Sequence, residues 1–478
     1  MTNRTSAEVA VGLQRRDILR STACGFGSLA LAALSSRDQA AAAELLRTHH
    51  QPRAKRVIFL FMAGGVSQVD SFDYKPQLEK RDGELLNFAD ARTLAKGEAK
   101  KNARLMKSLW PFRRRGESGK PTSDLFPEIG RHVDDLCFLH GMHTDGVAHG
   151  PATLFLHTGA TTQNRPSLGS WVSYGLGSAN ENLPAFVSLL PSRGNGGPRN
   201  YGSGFLPARH QGTAVGRAGI AAAAAKIRFL ENPHRPLDVQ RQQFDLVQAM
   251  NREQLAARAA ADSHLEAMIE SYELAWRMQR HAPEVLNLAN ETAETLERYG
   301  IGSEPTDSFG RQCLMARRLA ESGVRFIQAN YTDNSNNPAW DQHANMPKHA
   351  KHARAVDRPI AALLEDLKRR GLLDDTLVWW GSEFGRNPYA QNNGTGRDHN
   401  PDGFTVWLAG GGVKAGGSHG ETDDFGHLAI DGRTHMHDLH ATVLHLLGID
   451  HQRLTFRHAG RDFRLTDVAG RVISEALA

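Results

Sequence analysis

The sequence predicts an α/β fold: a mainly parallel central sheet flanked by helices and carrying a helical insertion. Three observations lead there. Short continuous apolar runs recur along the chain, as strands buried on both faces of a parallel sheet require. Segments of helical periodicity lie between several of them. Residues 220–300 break the alternation, being rich in Ala, Glu, Arg, Gln and Leu with few β-branched clusters.

The first apolar run, 57–62, ends at Gly64-Gly65 and reads as a buried strand feeding a loop. Runs at 136–139, 186–190, 324–329, 376–380 and 404–408 read the same way. The Gly-, Pro-, Ser- and Asn-rich stretch 191–204 is a loop. Residues 220–300 are expected to be a helical insertion, serving as a lid or an association surface. Residues 349–370 place Val356, Ile360, Leu363, Leu364 and Leu367 at helical spacing, with Gly371 where a C-cap belongs. Residues 436–447 do likewise with Leu439, Val443, Leu446 and Leu447, and Gly448 is the stop. No internal repeat is visible.

Composition narrows the class. With 478 residues, 40% apolar and 23% charged, the chain can bury a core, which excludes global disorder. No run of about 18 apolar residues appears, which excludes a polytopic membrane protein. Three cysteines and no CxxC pair exclude a disulfide scaffold and a cysteine zinc site. The net charge is +5, part of it from five arginines against three acids in the first 43 residues. The rest of the chain is too weakly basic for nucleic acid to be the expected partner. His is abundant, at 23 residues, which favours metal or acid–base chemistry.

Residues 1–43 read as an address. Arg15-Arg16 precede a mild apolar run and then Ala40–Ala43, the pattern of a twin-arginine-type signal peptide. The folded domain is then expected over 51–470, exported to the periplasm or beyond, with no transmembrane anchor after cleavage. Cys137 and Cys313 would remain, either paired or as buried thiols.

Polar residues cluster after the apolar runs. Asp70 and Asp73 follow the first; Asp341 and His343 follow 324–329; Glu383, Arg386, Arg397 and His399 follow 376–380. In a parallel sheet the carboxyl ends of the strands share an edge. Asp341, His343, Glu383 and His399 are therefore candidate ligands for one divalent ion. Carboxylate oxygens suit Mg, Ca or Mn, and imidazole pulls toward Zn, Mn or Fe. The rival arrangement is a hydrogen-bonded cluster in which Glu383 pairs with Arg386 or Arg397. After 136–139, the block from His140 to Gly159 places His149 or Thr153 at a helix N-terminus, where free N–H groups favour an anion.

Several motifs carry a resemblance. They are Gly64-Gly-Val-Ser-Gln-Val-Asp-Ser-Phe-Asp73, Arg165-Pro-Ser-Leu-Gly-Ser-Trp, Ser382-Glu-Phe-Gly-Arg386, Gly396-Arg-Asp-His399, Ala409-Gly-Gly-Gly-Val-Lys414 and the segment 437–448. Together they resemble the DUF1501 family of planctomycete-type exported proteins and, more broadly, the alkaline phosphatase/sulfatase superfamily. The resemblance implies an alkaline-phosphatase-like fold. It sets Glu383 where a sulfatase has a metal-binding Asp, and Phe384 where it has a His. Gly64 and Gly65 stand where the superfamily has two metal-binding Asp. His149 takes the nucleophile position, with Pro151 kept and Thr153 in place of an Arg.

Two functions fit these residues. In the first, a metal-dependent hydrolase of phosphate or sulfate esters has a rearranged site. Asp341, His343, Glu383 and His399 hold the metal, Asp70 or Asp73 replaces the missing first-strand ligands, and His149 acts as general acid or base. Arg386, Arg397 or Lys414 meets an anionic ester, small or polysaccharide. In the second, the same fold serves as a non-catalytic exported scaffold or carbohydrate-binding protein.

Overall fold

The computed structural model describes residues 48–89, 101–230, 232–257, 263–391 and 394–478; the expected signal peptide lies outside them. The described residues form a nine-stranded central sheet. In chain order its strands are β1 (Arg56–Met62), β2 (Leu136–His143), β3 (Phe186–Leu189), β4 (Thr213–Val215), β5 (Phe326–Tyr331), β6 (Thr376–Gly381), β7 (Phe404–Ala409), β8 (Ser418–His419) and β9 (Thr434–His435). Their spatial order is β8-β2-β7-β6-β1-β5-β3-β4, with β9 also on β2. The expected strands at 57–62, 324–329 and 376–380 are thus immediate neighbours.

Register decides where the loops go. Leu60 pairs with Trp380 of β6 and Ala329 of β5, both parallel. The loops after β1, β5 and β6 therefore leave one edge of the sheet. β7 runs antiparallel to both of its neighbours, β6 and β2. Two reversals leave β2 parallel to β6, so residues 144–148 reach that same edge. The loop after β7 leaves the opposite one.

The main helices are α1 (His149–Thr158), α2 (Leu168–Leu176), α3 (Leu237–Ala257), α4 (Ser263–Leu286), α5 (Asp307–Glu321), α6 (His349–Arg369) and α7 (Met436–Leu446). Strand β1 shows how they sandwich the sheet. Ile58, Leu60 and Met62 share one core with the buried faces of α5 and α6, including Leu314, Val356 and Leu363. On the other face the Phe59 and Phe61 rings lie 5.7 and 4.9 Å from His157 of α1. Phe59 also stacks on Trp379 at 3.8 Å. Burying each such side chain contributes about 1.5–3 kcal/mol. α6 ends as its sequence dictates, with Gly371 in the left-handed region at φ 65°.

In the stretch 220–300, α3 and α4 pair, with Phe244 stacked on Trp276 at 5.3 Å. The described residues among 220–236 are not α-helical; they hold a 3-10 turn at Ala222–Ala224. Pro233 and Pro236 immediately precede α3, and proline lacks the N–H that a helix interior needs. Cys137 and Cys313 are buried free thiols. No described helix is long and apolar enough to cross a membrane.

Candidate metal centre

Beyond the shared strand edge, the side chains of His149, Asp341, His343 and His399 converge. One ligand atom from each lies within 4.8 Å of all the others. His149 opens α1, on the loop that follows β2. Asp341 and His343 follow β5. His399 sits on a two-residue strand, where it pairs with Arg386 beyond β6.

Asp341 Oδ1 is the hub. It lies 3.2 Å from His149 Nε2, 3.0 Å from His343 Nε2 and 3.5 Å from His399 Nε2. Nε2 of His343 and Nε2 of His399 are only 3.1 Å apart. The other nitrogen of each ring faces an acceptor. His149 Nδ1 is 2.6 Å from Glu383 Oε1, His343 Nδ1 is 2.6 Å from Gln391 Oε1, and His399 Nδ1 is 3.0 Å from the Val147 carbonyl. Those oxygens only accept, so each Nδ1 carries a proton, and Nε2 is the atom through which each ring, once unprotonated there, can bind a cation. Three Nε2 atoms and a carboxylate oxygen then face one point. The side chains of His149, Asp341 and His399 are 7%, 2% and 5% exposed, and His343, at 28%, forms the open side. Crowding lone pairs in a dry space is repulsive unless a cation or protons neutralise them.

Proton affinities follow the same geometry. Burial opposes charging of Asp341, but contacts with the three imidazoles and Arg386 outweigh it and hold the carboxyl far below its usual range. Burial also lowers the pKa of His149, yet hydrogen bonding to Asp341 and Glu383 overcomes this and raises it. Burial takes His399 down to about 4.

Glu383 stands behind His149 rather than among the four converging donors. Fully buried, it accepts the Gly64 N–H on both oxygens, at 2.9 and 3.0 Å, and faces Ser382 Oγ at 3.1 Å. This is a carboxylate–histidine pair of the sort that fixes a metal-binding imidazole. Gly64 has φ 118°, and a Cβ there would lie 2.7 Å from the Asp341 backbone nitrogen. No side chain fits at this position; the backbone of Trp340 and Asp341 fills the space.

The expected anion contacts lie elsewhere. Arg386 is fully buried; its guanidinium binds Asp341 Oδ1 at 2.8 Å, Gly65 O at 2.9 Å, Arg397 O at 3.1 Å and the Gly64 carbonyl. Arg397 is fully buried too. It holds Asp70 Oδ2 at 2.8 Å and the carbonyls of Met106 and Lys107 at 2.9 and 3.1 Å. Asp70 is consumed by that ion pair and by Ser67, and Asp73 pairs with Lys75 at 3.1 Å; neither replaces a first-strand ligand. Lys414 follows the antiparallel β7 and so emerges at the opposite edge, its backbone bonded to Ala476. Sequence reasoning missed Gln391 and the Val147 carbonyl. A backbone oxygen carries no sequence signal, and Gln391 stands 48 residues from the ring it holds.

The family model described as "Protein of unknown function (DUF1501)" matches residues 54–477. The chain belongs to the DUF1501 family. No curated protein matches this DUF1501 chain in sequence. Among solved structures it is similar to the lipoteichoic acid synthase LtaP from Listeria monocytogenes, at 8% identity and TM-score 0.39, covering 90% of this chain and 78% of that one. It is similar to a protein in the alkaline phosphatase superfamily from Vibrio parahaemolyticus, at 10% identity and TM-score 0.38, covering 90% and 72%. A third is PsFucS1 sulfatase from Pseudoalteromonas sp., at 13% identity and TM-score 0.37, covering 87% and 70%. These likenesses leave the chemistry of the DUF1501 chain to its own residues.

Proposed function

We propose that this DUF1501 chain is an exported protein that binds one divalent transition metal through His149, Asp341, His343 and His399 and hydrolyses anionic esters. One observation carries the metal reading: three Nδ1 atoms held by acceptors, with three Nε2 atoms gathered around Asp341 Oδ1. Three imidazoles and one carboxylate suit Zn or Mn better than Mg or Ca, which prefer oxygen ligands throughout. A bound ion would supply Lewis acidity toward a phosphate or sulfate ester. Glu383 orients His149, and Arg386 fixes Asp341. The open flank at His343 is the side from which a ligand approaches.

A second reading, metal binding without turnover, is favoured by the arginines. Arg386 and Arg397 are committed inside the fold, and Lys414 is at the far edge, so none of the three reaches an ester at the cluster. Metal analysis of the purified chain, followed by a panel of phosphate and sulfate esters, separates the readings. Stoichiometric metal with ester cleavage supports the hydrolase; metal without cleavage supports the scaffold. No bound Zn or Mn removes both.

Metal binding also carries a proton signature. Glu383 and Asp341 favour the doubly protonated His149 ring, which must lose its Nε2 proton to coordinate. Affinity therefore rises with pH through and above the ordinary imidazole range. Calorimetry in two buffers of different ionisation enthalpy is expected to show proton release at neutral pH, and identical heats would contradict it. Export has its own test. Lysines in place of both Arg15 and Arg16 are expected to hold the protein in the cytoplasm, and undiminished export of that variant would remove the twin-arginine reading.

A further inference from the structure

A cavity of about 800 Å³ lies between residues 222–230, the end of α4 and helix α5. It shares no residue with the metal centre. Leu286, Leu296, Ile301 and Met315 line it, and Met315 reaches into the central core. None of the described residues lining it is acidic.

Three cations stand at its margin. Arg311 is neutralised by Asp307, at 3.0 Å. Lys226 and Arg228 have no acidic partner within ion-pair distance among the described residues. Ile227 between them bridges to Val215 of β4, which anchors this segment to the sheet edge. Phe229 follows in the left-handed region, φ 59°, and is 94% exposed. That conformation costs a residue with a side chain on the order of 1–2 kcal/mol.

The cavity's lining mixes apolar side chains with polar ones, and a concave space of about 300–1,000 Å³ of that kind is the form of a small-molecule site. The cations without an acidic partner among the described residues, Lys226 and Arg228, stand exposed at the mouth, so the complementary ligand is an anion with a long apolar tail. We propose that this cavity binds a long-chain carboxylate of the fatty-acid type. Its tail lies among Leu286, Leu296, Ile301 and Met315. Its carboxylate meets Lys226 and Arg228, and Phe229 forms the apolar lip.

The test is equilibrium binding of dodecanoate to the full chain, with dodecan-1-ol as the uncharged control. One saturable dodecanoate site is expected, with the alcohol at least 10-fold weaker. Replacing Lys226 and Arg228 together by alanine should weaken dodecanoate at least 10-fold and leave the alcohol unchanged. Ala223→Trp, an exposed substitution at the mouth, should abolish both. Absence of saturable dodecanoate binding, equal affinity for acid and alcohol, or indifference to Ala223→Trp would each overturn the proposal. So would a dimer by sedimentation that Phe229→Ser dissociates while dodecanoate does not bind, because the cavity would then be an interface between copies.

Discussion

Asp341→Ala is expected to lower Zn or Mn affinity more than about 100-fold. Loss of an outer partner that merely orients a ligand costs about 10–100-fold, and Asp341 is the carboxylate on which all three imidazoles converge. Glu383→Gln should fall in that smaller range, because the amide cannot hold the His149 Nδ1–H and both contacts to Gly64 as a carboxylate does. Calorimetric titration of the wild type and both variants checks the ranking. Far-UV circular dichroism of the metal-free proteins shows whether each variant is folded. Equal affinity in wild type and Asp341→Ala would place the metal elsewhere or nowhere. Arg386 gives a second readout. It keeps its carbonyl acceptors when Asp341 is lost, so the folded state should survive with a buried charge less well matched.

The largest stability effect is expected at Asp70 and Arg397, both fully buried. Asp70→Ala leaves a guanidinium inside the protein with carbonyls but no counter-charge, and breaking such a pair costs about 3–5 kcal/mol. Arg397→Met strands Asp70 and the carbonyls of Met106 and Lys107 in the same way. Combining Asp70→Leu with Arg397→Met should cost less than the two single losses summed, since the charges disappear together. Recovery remains partial because the carbonyls stay unpaired. Urea denaturation measures all three. A loss below about 1 kcal/mol in Asp70→Ala would show that water reaches the pair. The consequence extends to the metal centre, because Arg397 stands two residues before His399.

The site is partly legible in the sequence. Asp341, His343 and His399 could be placed at one edge because each follows a strand, and parallel strands open their carboxyl ends on a common side. His149 was legible as a functional residue at a helix start, but as an acid–base group rather than a fourth converging donor. Glu383 looked like a ligand because a carboxylate just past a strand end is equally suited to touching a metal or to holding the imidazole that does. Arg386 and Arg397 looked like anion contacts because charge in a sequence carries no record of burial.

By itself the sequence determined the strands and their class. β1 and β6 are nearly unbroken apolar runs and β5 and β7 mostly apolar ones, interrupted at Gln328, Asn330 and Thr405, and only a position covered on both faces favours such a run. It also determined α6 and its end, since spacing and a left-handed glycine are local properties. Tertiary structure alone decided the rest. The direction of β7 sent Lys414 to the far edge, and apolar runs read the same in either direction. The partner of His149 lies 234 residues away at Glu383, and the partner of Glu383 lies 319 residues away at Gly64. Such contacts are set by which strands become neighbours, and that choice belongs to the packed sheet as a whole rather than to any segment of it.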